Sequence, residues 1–191
     1  MSNRPQTEFA PFNDNYCRTV WQWRNLSRVR EQMRNTDEIT WQNHQRWFQS
    51  ALQDPNRRDF VMLQNERPIG ALNFTRVQEP DWEWGCYLGE TNVWPGSGLL
   101  LEVAALDYAL VHSNCRQLYA EVKVQNKGAL ALHKLFEYQS AEPPNADYLA
   151  FTYQRQSWQQ QRERVLAKLP KPHQEAAAAV VFTQARPASP S

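Results

Sequence analysis

Apolar and polar residues alternate in two short stretches of the chain. Trp84, Cys86 and Leu88 alternate with Glu83, Gly85 and Tyr87, and Leu118, Ala120, Val122 and Val124 alternate with Tyr119, Glu121, Lys123 and Gln125. A period of two puts each set on one face of a strand. Residues 60–63 and 69–74 are further strand-like runs, and Asn65-Glu66-Arg67-Pro68 between them predicts a hairpin. Residues 8–12 predict a first strand, closed by the polar turn Asn13-Asp14-Asn15, while the residues before it are expected to be loose.

Elsewhere the pattern is helical. A helix is predicted up to about residue 34, carrying Val20, Trp21, Trp23, Leu26, Val29 and Met33. Trp41, Gln45, Phe48 and Leu52 form one row of a second helix, which Asp54-Pro55-Asn56 stops. Residues 98–112 are apolar almost all round, with Glu102 and Asp107 as exceptions, so that helix is expected to lie buried against the sheet. A helix over 127–136 follows, then short strands near 138–141 and 148–153, parted by Pro143-Pro144-Asn145. Strands and helices mixed in this way predict an α/β (α+β) domain over residues 1–158, with a mostly antiparallel sheet. Residues 159–169 read as an added helix. Residues 170–191, rich in Ala, Pro and Ser, carry too little apolar surface to fold alone; disorder is expected there, with a transient helix or partner contact over 176–182 as the alternative.

Composition narrows the function. The net charge of +1 supplies no strong field to select nucleic acid or a membrane surface. No apolar run is long enough to span a bilayer, and no signal-peptide pattern opens the chain, so a cytoplasmic location is expected. Cys17, Cys86 and Cys115 lack metal-type spacing and read as reduced thiols, with no metal site expected. Most of the eight tryptophans are expected in the core.

The chemistry centres on Trp94-Pro95-Gly96-Ser97-Gly98-Leu99, which joins a strand to a helix. Glycines permit positive φ and close approach, and the first amides of a helix attract anions. Val93-Trp94-Pro95-Gly96-Ser97-Gly98 resembles the Arg/Gln-x-x-Gly-x-Gly/Ala diphosphate motif of the GNAT family of acetyl-CoA-dependent N-acetyltransferases, with Val93 in the usual Arg/Gln place. Residues 126–138, starting Asn126-Lys127-Gly128-Ala129, resemble that family's Asn-x-x-Ala block. The resemblance spans about residues 8–158. Trp84-Gly85-x-Tyr87, residues 105–109 and Leu132-His133-Lys134 suggest the branch that N-acetylates UDP-4-amino-4,6-dideoxy-N-acetyl-β-L-altrosamine in pseudaminic acid synthesis.

The resemblance implies a GNAT fold with splayed central strands, acetyl-CoA as cosubstrate, and cofactor contacts at Leu88, Trp94, Gly96, Ser97, Gly98, Leu99, Asn126 and Ala129. His133 stands where many members place a Tyr that protonates the leaving thiolate; the alternative is a helix-surface histidine. Glu83 and Glu121 are the candidate bases, and Cys86 as a nucleophile lacks an activating partner. A nucleotide-linked amino sugar offers a diphosphate, a flat base and an apolar edge. Arg24 and Arg30 are candidates to clamp the first, Trp23, Met33 and Trp47 to pack on the rest, and His44 to hydrogen-bond the sugar. The arginines as a solvated basic face and the tryptophans as core are the competing readings. An enzyme acting on protein termini or lysines, and a non-catalytic acyl-CoA-binding module, remain as alternatives; a monomer or homodimer is expected.

Overall fold

The computed structural model describes residues 4–184. Eight strands form one sheet in the order β6-β7-β5-β4-β3-β2-β1-β8. They are β1 (Thr7–Pro11), β2 (Arg57–Gln64), β3 (Arg67–Gln78), β4 (Asp81–Leu88), β5 (Gln117–Lys123), β6 (Gln139–Ala141), β7 (Tyr148–Gln154) and β8 (Val181–Phe182). Antiparallel pairing dominates; β4 with β5 and β1 with β8 run parallel. The β2–β3 hairpin turns on Asn65 and Glu66 alone, both at positive φ, as a right-twisted two-residue turn requires.

Among the described residues seven α-helices flank the sheet: α1 (Cys17–Asn25), α2 (Ser27–Arg30), α3 (Trp41–Gln53), α4 (Ser97–Leu110), α5 (Lys127–Leu135), α6 (Arg155–Leu166) and α7 (Lys171–Ala178). Helix α4 buries ten residues, as its all-round apolar pattern demands. Its Asp107 is matched from α6, accepting from Trp158 Nε1 at 2.9 Å and from Arg162 Nε and Nη2 at 2.8 Å each. Phe9, Phe60, Phe74 and Leu106 belong to the main core between sheet and α4. A smaller core lies under α1 and α3, around Val20, Trp23 and Phe48.

Two expectations need correction. The helix expected up to residue 34 breaks at Leu26, whose ψ is 130°. Asn25 causes a competing set of bonds: its side chain donates to Ile39 O at 2.9 Å and accepts from Ile39 N at 2.8 Å, which draws the returning chain across the helix end. Arg24 and Arg28 therefore do not share a helix face. The expected disorder after residue 170 is also wrong for the part described. Helix α7 buries Ala176 and Ala177, and Phe182 of β8 stacks on Phe9 at 4.8 Å and Tyr108 at 4.7 Å. This segment has too little apolar surface to make a core, but enough to complete one already formed. Residues 185–191, the rest of the expected disordered tail, and residues 1–3 lie outside the described residues.

Candidate active site

The central strands part where chemistry needs a slot. β4 and β5 pair only through Trp82 with Leu118 and Glu83 with Tyr119, and beyond those residues they separate. Gly89 N donates to Ile69 O at 2.8 Å, and Gly70 lies opposite Leu88. Alternation then turns the backbone groups of Leu88 away from β3, toward the gap. The Leu88 carbonyl is taken by Arg28 Nη1 at 2.7 Å, which leaves its N–H on the open edge. Cys86 has the same phase. It is reached by solvent yet closely walled by protein, and burial pushes its thiol well above the ordinary value. That combination describes the wall of a narrow cleft and an unreactive thiol.

At the mouth of this gap sits the glycine turn. Gly96 has φ 102°, a left-handed conformation that glycine adopts without strain. Ser97 is buried and fully occupied: its N–H and hydroxyl both donate to Trp94 O, at 3.1 and 2.7 Å, and its oxygen accepts from Gln64 Nε2 at 2.9 Å. Ser97 therefore holds the turn rather than offering its own donors to a ligand, a correction to its expected role. Gly98 and Leu99 are the second and third residues of α4, so their amides have no acceptor within the helix. Two free amides at a helix start suit a diphosphate, and an open strand N–H such as that of Leu88 suits an acyl oxygen. Val93, in place of the family's Arg or Gln, packs half-buried against the main core. Trp94 packs against His173 of α7, ring centroids 4.7 Å apart. Asn126 caps α5 by accepting from Ala129 N at 3.2 Å, so this pair shapes the helix start.

Glu83 and Glu121 come together on the α2 side of the fork. Arg34 bridges them: Nη2 bonds Glu83 Oε1, and also reaches Glu121 Oε2 at 2.8 Å. Tyr119 donates to the other oxygen of Glu121 at 2.9 Å. Both Glu121 oxygens are engaged, whereas among the described residues only Oε1 of Glu83 is. Half-buried Met33 precedes Arg34 in the same segment.

Most residues expected to bind the acceptor lie elsewhere. His44 is fully buried, with Nε2 2.9 Å from Cys17 O, among Trp41, Trp47 and Phe48. It is a core histidine, and burial lowers its pKa. Trp23 is buried too; its Nε1 donates to Glu90 at 2.9 Å and its ring fills the space beside Gly89, where a Cβ would collide at 2.1 Å. Trp47 lies between the guanidinium groups of Arg24 and Arg57, at 5.2 and 5.6 Å. Arg24 is thereby committed to packing. Arg30 forms an ion pair with Glu38 at 3.1 Å, a partner that is largely exposed.

His133, in the last turn of α5, is 4 % exposed rather than on a helix surface. It stacks on Tyr138 at 4.3 Å and Trp84 at 5.9 Å, with Phe151 edge-on at 4.9 Å. Its Nδ1 lies 3.3 Å from Oε1 of Glu102, itself 2 % exposed. Burial pulls the imidazole down to about 4 and pushes the Glu102 carboxyl up to about 8. Glu102 was absent from the candidates; the signal was a lone carboxylate on a helix otherwise apolar on every side.

Known proteins agree with this geometry. Residues 8–137 match the family described as "Acetyltransferase (GNAT) domain". Over 126 residues the chain is 27% identical to acetyltransferase PseH of Campylobacter jejuni, spanning 66% of this chain and 78% of that one. The crystal structure of Campylobacter jejuni N-acetyltransferase PseH in complex with acetyl coenzyme A superposes with a TM-score of 0.61 at 20% identity, over 78% of this chain and 98% of that one. A Vibrio cholerae spermidine N-acetyltransferase in complex with CoA and spermine gives 0.70 at 15% identity, over 81% and 98%. At 20% and 15% identity, these two likenesses speak for the fold. The chain belongs to the GNAT acetyltransferase family, as an N-acetyltransferase that uses acetyl-CoA.

Proposed function

We propose that the protein acetylates the 4-amino group of a UDP-linked amino-dideoxy sugar, in cytoplasmic synthesis of pseudaminic acid or a related surface glycan. The similarity to PseH over two thirds of the chain supports the acceptor class. The observation that carries the chemistry is the Glu83–Arg34–Glu121 bridge beside the open edge of β4.

Acetyl-CoA supplies the activated acyl group. The Leu88 N–H faces the gap and stabilises charge developing on the acyl oxygen, as a fixed amide does in a water-poor slot. Glu83 has an oxygen outside its Arg34 contact, and we assign it removal of the proton from the acceptor amine, directly or through one water. Glu121, bonded by Tyr119 and Arg34, fixes the guanidinium that holds Glu83. The amides of Gly98 and Leu99 hold the diphosphate of the donor, and His133 serves the leaving sulfur. Arg30 is assigned to the acceptor's diphosphate, exchanging its exposed partner Glu38 for phosphate.

The test is incubation of the purified protein with acetyl-CoA and UDP-4-amino-4,6-dideoxy-N-acetyl-β-L-altrosamine, followed by mass spectrometry of the sugar. An N-acetylated nucleotide sugar and matching free CoA are expected. Unchanged sugar with a demonstrably folded, acetyl-CoA-binding protein would overturn the acceptor assignment.

A further inference from the structure

We propose that Glu102 is the proton reserve of His133: the two side chains act as one buried donor, with Glu102 supplying the proton that His133 passes to the departing sulfur. The inference rests on the acetyl-transfer reading above and adds to it a residue on α4 that touches His133.

Glu102 is a buried carboxylate with no cationic partner among the described residues. A carboxyl group in a core is costly unless it is paired, and Asp107, one helical turn and a little more along α4, shows what pairing looks like, with three bonds to Trp158 and Arg162. Glu102 meets no guanidinium or ammonium group among the described residues; the Tyr138 hydroxyl faces it as a neutral donor. No donor is bonded to its Oε1 in good geometry among the described residues; Nδ1 of His133 lies 3.3 Å from it, a distance that a small rotation closes to a hydrogen bond. His133 mirrors this. Stacked aromatic rings fix its plane, and the Ala129 carbonyl lies near it, yet among the described residues neither ring nitrogen makes a hydrogen bond of good geometry. His44 differs in that its Nε2 meets the Cys17 carbonyl and only its Nδ1 is without a partner among the described residues. A buried acid with no cationic partner and a buried base, set against each other, point to a proton held for use.

The surroundings agree on where the proton rests. The other titratable groups facing the pair are Cys86 from β4 and Tyr138 after α5, and burial raises both, so each stays neutral. The imidazole is neutral above about pH 4, and the carboxyl keeps its proton up to about pH 8. His133 alone therefore has no spare proton at neutral pH. With the Glu102 proton on Nδ1, it does. Donation from Glu102 to Nδ1 also fixes the tautomer that carries its hydrogen on Nε2.

The step balances as follows. The amine nitrogen forms its bond to the acyl carbon and gives one proton to Glu83; the carbon–sulfur bond breaks and its electron pair goes to sulfur. His133 gives its Nε2 proton to that sulfur, and its Nδ1 takes the proton of Glu102. The products are an amide, a thiol, protonated Glu83, neutral His133 and the Glu102 carboxylate; Glu83 releases one proton to solvent and Glu102 takes one up before the next cycle.

Two measurements test this. In the free protein, infrared spectroscopy at pH 6 should show a protonated carboxylic acid that ionises near pH 8 and is missing from Glu102→Gln. With acetyl-CoA, kcat of the wild type should fall as pH rises through about 8. Glu102→Gln, which keeps the shape and loses the proton, should lower kcat about 10²-fold and remove that fall. Glu102→Asp should retain the fall at a lower rate. If the nucleotide sugar is not acetylated, hydrolysis of acetyl-CoA is followed instead, so the acceptor assignment can fail separately. An ionised Glu102 at pH 6, or a Gln variant with the wild-type rate and pH profile, would overturn the proposal; the infrared result stands even if that variant does not fold.

Discussion

The imidazole of His173 occupies the space into which a side chain at Gly96 would point, 2.1 Å from an ideal Cβ. Its Nε2 also lies 3.0 Å from Pro95 O, and its ring packs on Trp94. Helix α7 thus braces the turn whose amides are assigned to the diphosphate, although it lies beyond the residues matched to the family. A chain ending at Leu169, or His173→Ala, should bind acetyl-CoA about 3–10-fold more weakly, the effect of one lost hydrogen bond and its packing. kcat at saturation should change little. Titration calorimetry showing unchanged affinity would reduce α7 to a passenger, the role the composition of the tail first suggested.

Glu83 and Glu121 share Arg34 but differ in what is left free. Glu83→Gln should lower kcat about 10²-fold with little change in KM for acetyl-CoA. Glu121→Gln keeps neutral bonds to Tyr119 and Arg34 and should cost less, about tenfold. Steady-state kinetics on the two variants ranks them; the reverse order would move the base to Glu121.

The buried pair also makes stability depend on pH. The folded-state pKa of Glu102 is raised from its ordinary 4.5 to about 8, so its contribution is full below 4.5 and is lost as pH rises through 8. His133 has the opposite sense: its pKa is lowered from 6.5 to about 4, so stability is lost as pH falls through that window. Between about 4.5 and 6.5 the two oppose each other. From 6.5 to 8 only the Glu102 loss continues, and Tm should fall. Glu102→Gln should flatten that fall, and parallel Tm profiles for wild type and variant would contradict the burial argument.

The sheet was legible because its signals are local. Alternation at residues 83–88 and 118–124 is carried by neighbouring residues, and the strands β4 and β5 fall there within a residue or two. Helix α4 was legible for the same reason. The acceptor side was not. Trp23, His44 and Trp47 have the residue types of a sugar site, and nothing local distinguishes them from a second core; that is decided by α1 packing on α3. The break at Leu26 depends on Asn25 meeting Ile39, which is fourteen residues away. The two glycines of the turn read alike in the sequence, but Gly98 is helical and its Cβ would touch Leu132 at an ordinary 3.6 Å. Only Gly96 needs a positive φ. Glu102 stood out in the pattern, but its meaning required His133, thirty-one residues on, to arrive at 3.3 Å.

The most direct measurement of the central claim is kcat/KM, read as CoA release, for three amines in parallel: the UDP-linked 4-amino-4,6-dideoxy sugar, the same sugar without UDP, and a peptide amine. Arg30 is assigned to the diphosphate, so the conjugate should be favoured over the free sugar, and Arg30→Ala should erase much of the difference. Equal use of both sugars, or preference for the peptide, would contradict the account.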